Sequence, residues 1–177
     1  MTVDNAPFAR LWTWAVPAAE VDWEAVYTEQ LPRIYNFFRY RVGDGAVAED
    51  LTSITFEKAW RARHRYRRDR ARVGTWLVVI ARRVAVDHYR GARWHEPLDA
   101  AERIAGGATP EEIAELRSDL DRLGRLLVTL PGRERDLVAL KYGARLTNRA
   151  IADLTGMSES NVGTILHRTV RDLRARW

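Results

Sequence analysis

Apolar positions recur along this chain at intervals of three and four, the period of helices with one buried face. Asp22 can cap a helix starting at Trp23, and Pro32 is expected to break or kink its path. A second helix, about 32–42, then carries Ile34, Phe37, Phe38 and Arg41. Gly43-Asp44-Gly45 reads as a turn, with Asp44 capping a helix to about Arg63. Val47, Leu51 and Ile54 are its predicted inward residues, with Phe56 and Trp60 as further candidates; Glu49, Asp50 and Glu57 fall among its polar positions. From Thr75 to Arg93 another helix carries Leu77, Ile80, Ala81 and Val84 on one face and Arg82, Tyr89, Arg90 and Arg93 on another. Arg83 and Asp87, four apart, are placed to pair on its surface.

Pro97, Gly106, Gly107 and Pro110 then interrupt the pattern, so residues 94–110 read as a flexible linker. Beyond it, Ile113, Leu116, Leu120, Leu123 and Leu127 predict a long amphipathic helix ending at Leu130-Pro131. A short helix follows, with Leu137, Leu140 and Tyr142 apolar and Gly143 suited to a left-handed cap. Thr147 can cap the next helix, which turns Ile151, Ala152 and Leu154 inward. Thr155-Gly156-Met157 is a tight turn, and Ser158 caps the last helix. Val162, Ile165, Leu166, Thr169, Val170 and Leu173 form its buried stripe; Ser160, Thr164, His167 and Arg171 lie opposite, with Gly163 and Arg168 at the edges. Two helices across a Gly-containing turn make a helix-turn-helix, whose second helix lies in the DNA major groove. An ordinary solvated face is the plainer explanation for that polar side; the cap, helix and turn before it favour DNA.

The predicted fold is therefore all-α: two small helical domains, residues 22–93 and 111–177, joined by the linker and preceded by an extension, 1–21. The extension holds Phe8, Trp12 and Trp14, and its plainer reading is a tail folded on the first domain, the alternative being a partner-binding or regulatory arm. Net charge is +5, but between Trp60 and Arg93 eleven arginines face only Asp69 and Asp87. So dense a cluster implies a polyanionic partner. Tyr66 among the arginines of residues 61–72 suits single-stranded nucleic acid, where rings stack bases and cations follow phosphates. Residues 96–121 are acidic and are expected to compete for those arginines, holding the free chain in a masked form. The absence of cysteine excludes disulfides and Cys-ligated zinc. The four histidines lack metal-ligand spacing, and no catalytic constellation, Walker loop or dinucleotide fingerprint is present. No apolar run approaches bilayer length and no secretory signal is legible, so the expectation is a cytoplasmic, non-enzymatic protein without membrane insertion or cofactor.

Three blocks together resemble the two-domain, group 4 extracytoplasmic-function class of bacterial RNA polymerase sigma factors. Ala48-Glu49-Asp50-Leu51 with Thr55-Phe56-Glu57-Lys58-Ala59-Trp60-Arg61 is similar to the family's polymerase-binding helix. Trp76-Leu77, Ile80-Ala81-Arg82 and Val86-Asp87-His88-Tyr89-Arg90 resemble the helix that opens and reads the −10 element. Residues 130–174 resemble the domain that reads the −35 element, through Ile151-Ala152, Gly156-Met157, Val162 and Leu166-His167-Arg168. The resemblance implies core RNA polymerase, promoter DNA and an anti-sigma factor as partners. It assigns Glu49, Asp50, Ser53 and Glu57 to polymerase. Arg61, Arg63, Tyr66, Arg72, Trp76, Arg82, Arg83, Tyr89, Arg90 and Arg93 fall to −10 reading and melting, although Trp76 could equally be core. Thr147, Arg149, Ser160, Asn161, Thr164, His167, Arg168 and Arg171 fall to the −35 element.

The chain departs from the family's pattern at several of these positions. Ser53 and Ile54 stand where the family usually has Gln-Glu, leaving Asp50 as the best polymerase contact. Arg83 stands for a common asparagine, and Ala150 for a glutamate that would complete a capping box with Thr147. Gly163 and Thr164 replace Lys-Ser, which predicts weaker or unusual −35 binding. A stand-alone helix-turn-helix regulator and a single-strand RNA adaptor are the rival functions.

Overall fold

A computed structural model describes residues 21–91 and 110–177, with side chains from 118 onward in the second segment. The first segment forms α1 (Trp23–Val42), α2 (Gly45–Ala62), a 3-10 turn (Arg63–Arg65) and α3 (Val73–Gly91). The second forms α4 (Pro110–Val128), α5 (Gly132–Val138), a π turn (Ala139–Gly143), α6 (Asn148–Thr155) and α7 (Glu159–Arg176). No strand occurs among the described residues. Residues 1–20 and 92–109, which hold Arg93 and all of the linker but Pro110, lie outside them.

The predicted N-terminal caps form. Asp22 Oδ1 accepts from the Glu24 and Ala25 amides, and Asp44 Oδ1 from that of Val47 at 2.8 Å. Thr147 accepts from Ala150 and Ser158 from Asn161. Gly156 turns at φ 73°, as its place between α6 and α7 requires.

Five expectations change. Pro32 lies inside one continuous helix rather than at a break. It stands on an exposed face, where the Thr28 carbonyl it leaves without an amide can meet water. Ile54 and Trp60 face out, 38% and 53% exposed; the inward stripe of α2 is Ala48, Leu51, Thr52, Thr55 and Ala59. Two threonines can be buried there because their hydroxyls donate to the Ala48 and Leu51 carbonyls, at 2.6 and 2.8 Å. Asp87 pairs across helices with Lys58 at 3.4 Å, not along α3 with Arg83. Tyr142 is 46% exposed, so only Leu137 and Leu140 of its trio are core. Gly143 is not a left-handed cap; the positive φ falls two residues on, at Arg145 (53°).

What Gly143 provides is closeness. A Cβ there would lie 2.7 Å from the Asn36 carbonyl oxygen and 2.7 Å from Phe37 Cα, on the backbone of α1. A Cβ on Gly124 would lie 2.6 Å from the Gly43 oxygen at the end of the same helix. The second segment therefore seats directly on α1, and Ile34, Phe37 and Phe38 share one buried cluster with Leu137, Leu140 and Ile151. The two helical groups are thus packed face to face.

Candidate nucleic-acid interface

α7 displays the polar face read from the sequence. Val162, Leu166 and Thr169 are buried, while Ser160, Asn161, Thr164, His167, Arg168 and Arg171 are exposed. Thr147 and Arg149 are exposed at the start of α6, beside that face. The hydroxyl of Thr164 donates to the Ser160 carbonyl at 3.0 Å, so its methyl and lone pairs are what it presents outward. Arg168 is engaged by Glu134 at 3.0 Å, and Arg171 lies 3.5 Å from Asp172. Both contacts are exposed enough for phosphate to displace the carboxylate, since such pairs contribute at most about 1 kcal/mol. A groove of about 310 Å³ runs beside this face, lined by Tyr142, His167, Val170, Arg171 and Arg174.

The basic segment between α2 and α3 wraps an aromatic group. Tyr66 and Trp76 have ring centroids 5.2 Å apart, and Trp23 meets each at 6.0 Å. The Tyr66 hydroxyl donates to the Ala71 carbonyl, pinning the loop across the start of α3. Trp76 is half-buried and packed against the core, while Tyr66 is half-buried among exposed arginines. Trp23 escapes the sequence reading because nothing in its spacing links it to residues forty or more positions away. Arg61, Arg63, Arg72, Arg83 and Arg90 are exposed, Arg61 paired with Glu57 and Arg63 lying 4.0 Å over the Trp60 ring.

Two of the −10 candidates are already occupied in this arrangement. The Tyr89 hydroxyl donates to the Arg41 carbonyl at 2.6 Å. Arg82 reaches the other helical group, its Nε and Nη2 each 2.9 Å from Asp136 Oδ2 and its Nη1 donating to the Leu154 carbonyl at 3.1 Å. Arg41 Nε lies 3.6 Å from Asp136 Oδ1, and its guanidinium stacks 4.6 Å over the Tyr89 ring. Burial pushes the Arg41 pKa below its usual value, against the opposing pull of Tyr89 and Asp136. Arg33 Nε donates to the Ala144 carbonyl at 2.6 Å, and burial lowers its pKa as well.

On α2, Glu49, Asp50, Ser53 and Glu57 are all exposed, spaced at three and four along one side. Ile54 and Trp60 are exposed with them, giving an acidic surface with apolar side chains in it. Among the described residues no group of acidic, histidine or cysteine side chains could hold a metal ion, and no helix is long and apolar enough to cross a membrane.

Residues 26–95 match the family model for sigma-70 region 2, and residues 120–173 that for sigma-70 region 4. The RNA polymerase sigma factor CarQ of Myxococcus xanthus is 31% identical over 159 residues, covering 88% of this chain and 89% of CarQ. The chain belongs to the extracytoplasmic-function RNA polymerase sigma factors. Members of this family are transcription initiation factors that direct core polymerase to promoters. The relative BldN of Streptomyces coelicolor is 30% identical over 84% of this chain, which spans only 57% of BldN's length. The fold matches that of the sigma factor RpoE from Bartonella quintana, solved with the anti-sigma factor NepR. The TM-score is 0.65 at 18% identity, covering 87% of this chain and 95% of that one. The region 2 match spans nearly all of α1 to α3, and the region 4 match runs from the middle of α4 into α7; the two helical groups are called region 2 and region 4 below.

Proposed function

We propose that this sigma factor docks on core RNA polymerase through α2, opens the −10 element with α3 and its preceding loop, and grips the −35 element with α7. The observation that carries the reading is that one chain displays an exposed polar face on a helix-turn-helix and, separately, exposed arginines around an aromatic group.

Each surface suits one part of the task. Small hydroxyls lead α7 and cations follow, an order that serves base edges first and phosphates next. Melting requires unstacking bases at a few kcal/mol each, and stacking on an aromatic ring returns roughly 1–3 kcal/mol per base. Tyr66 and Trp76 supply rings, and Arg61, Arg63, Arg72, Arg83 and Arg90 supply cations for the backbone. Glu49, Asp50, Ser53 and Glu57 form the polymerase contact, strengthened by Ile54 and Trp60 beside them. An anti-sigma factor is the proposed inhibitor and the cytoplasm the proposed site of action; the chain contributes no catalytic group or cofactor, polymerase supplying the chemistry.

The test is run-off transcription with reconstituted polymerase from promoters selected by that holoenzyme, beside gel shifts of the free chain at near-physiological salt. Polymerase-dependent transcripts with near-silent free protein support the reading. Tight sequence-specific binding by the free chain, without any stimulated transcript, would overturn it in favour of a stand-alone regulator.

A further inference from the structure

Region 2 and region 4 meet around a cluster that neither region could complete alone. One carboxylate, Asp136 of α5, faces the guanidinium groups of Arg82 and Arg41, and its side chain is only 14% exposed. Arg135 approaches the same place, 5.5 Å from the Tyr89 ring. Three cations therefore share one anion, and Arg41 Nε, Arg41 Nη1 and Arg135 Nε are buried without a hydrogen-bond partner among the described residues. Arg82 also donates to the Leu154 carbonyl, one of the last carbonyls of α6 and so at the negative end of the helix that precedes the recognition turn. The glycine contacts of Gly143 and Gly124 fix how closely the regions approach.

We infer that Asp136 is a phosphate surrogate: it and the Leu154 carbonyl hold Arg82 in a closed molecule, and promoter DNA must displace them to claim the same guanidinium. The inference rests on the assignment of Arg82 to the −10 region made above. A guanidinium cannot lie in the Asp136 pocket and on a DNA phosphate at once. The oxygens it meets in the closed form are, like phosphate oxygens, acceptors carrying negative charge. The contact links the two reading surfaces, because the −10 helix caps the first helix of the −35 motif. Opening for DNA at one region therefore releases the other. The spare cations matter too: with three guanidiniums around one carboxylate, removing that carboxylate leaves like charges facing one another across the interface.

The experiment uses the full free chain and a labelled fork of duplex and single-stranded DNA of mixed sequence, titrated across a salt series with small-angle scattering in parallel. Asp136→Asn removes the surrogate charge. Gly143→Ala instead wedges the regions apart without touching any charge, its new Cβ meeting α1 rather than its own region. If about nine molecules in ten are closed, apparent affinity should rise about tenfold in each variant, with an increased scattering radius. In Asp136→Asn the gain should be larger at low salt than at high salt, steepening the dependence of log affinity on log salt, because the ion pair that DNA must break in the parent chain is itself weakened by salt. Adding Arg82→Ala to Asp136→Asn should remove both the gained affinity and the steeper slope. Unchanged affinity and slope in Asp136→Asn, with its helical circular dichroism intact, would overturn the inference, as would a gain that survives Arg82→Ala. The underlying reading fails separately, when the wild-type chain gives no polymerase-dependent transcript.

Discussion

Asp50 and Arg171 show how little a single exposed charge does for the fold and how much is asked of it by a partner. Asp50 makes no ion pair among the described residues and stands exposed beside Ile54 and Trp60. Asp50→Arg should abolish co-purification with core polymerase while the helical circular dichroism stays unchanged; retained assembly would remove this residue from the contact. Arg171 is exposed on the α7 face, and among the described residues it pairs with its neighbour Asp172. Arg171→Ala should weaken binding of holoenzyme to all promoters alike and reduce the salt slope by about one. A change confined to one base position would instead make it a reader of sequence. Thr169 is the contrasting residue, buried and with no hydrogen-bond partner for its hydroxyl among the described residues.

At the scale of elements, capping decides where the helices of region 4 begin. Thr147→Ala removes the acceptor for the Ala150 amide and should cost about 1 kcal/mol in urea unfolding followed by circular dichroism. Gly163→Ala should act in the opposite direction, stabilising by about 0.5–1 kcal/mol, because the added Cβ meets only Asn148 Nδ2, at 3.5 Å. These caps were legible in the sequence, as were the buried stripe of α7 and the turn at Gly156, because each depends on residues within four positions. The stripe of α2 was misread for a physical reason: a threonine can be buried once its hydroxyl finds a helical carbonyl, whereas Ile54 and Trp60 stay exposed on a surface assigned to a partner. Asp136 and Arg41 were invisible for a different reason. Their partners lie in another region of the chain, and no local period encodes a pairing across 54 residues, as between Arg82 and Asp136. Gly143 was noticed, but as a cap rather than as a place where two backbones touch.

At the scale of the whole molecule, the two regions share a core: Phe37 and Phe38 are buried in one cluster with Leu137, Leu140 and Ile151. Modules of this size bury too little surface to be strongly stable alone, so each supplies part of the other's interior. Calorimetry of the free chain should therefore give one transition whose calorimetric and van't Hoff enthalpies agree. Two resolved transitions would mean that the regions fold separately. The acidic segment expected to mask the arginines enters this picture at Asp121, which lies 3.5 Å from Arg39 on α1 and not against the arginines of residues 61–93.

The close seating of Gly143 on α1 also bears on how long the protein survives. Parting that contact uncovers the apolar side chains that region 2 and region 4 share, and opening of that kind is what exposes a chain to proteolysis. The half-life of the free factor, followed after synthesis is stopped, should shorten when α1 and Gly143 are forced apart and lengthen again when core polymerase is in excess.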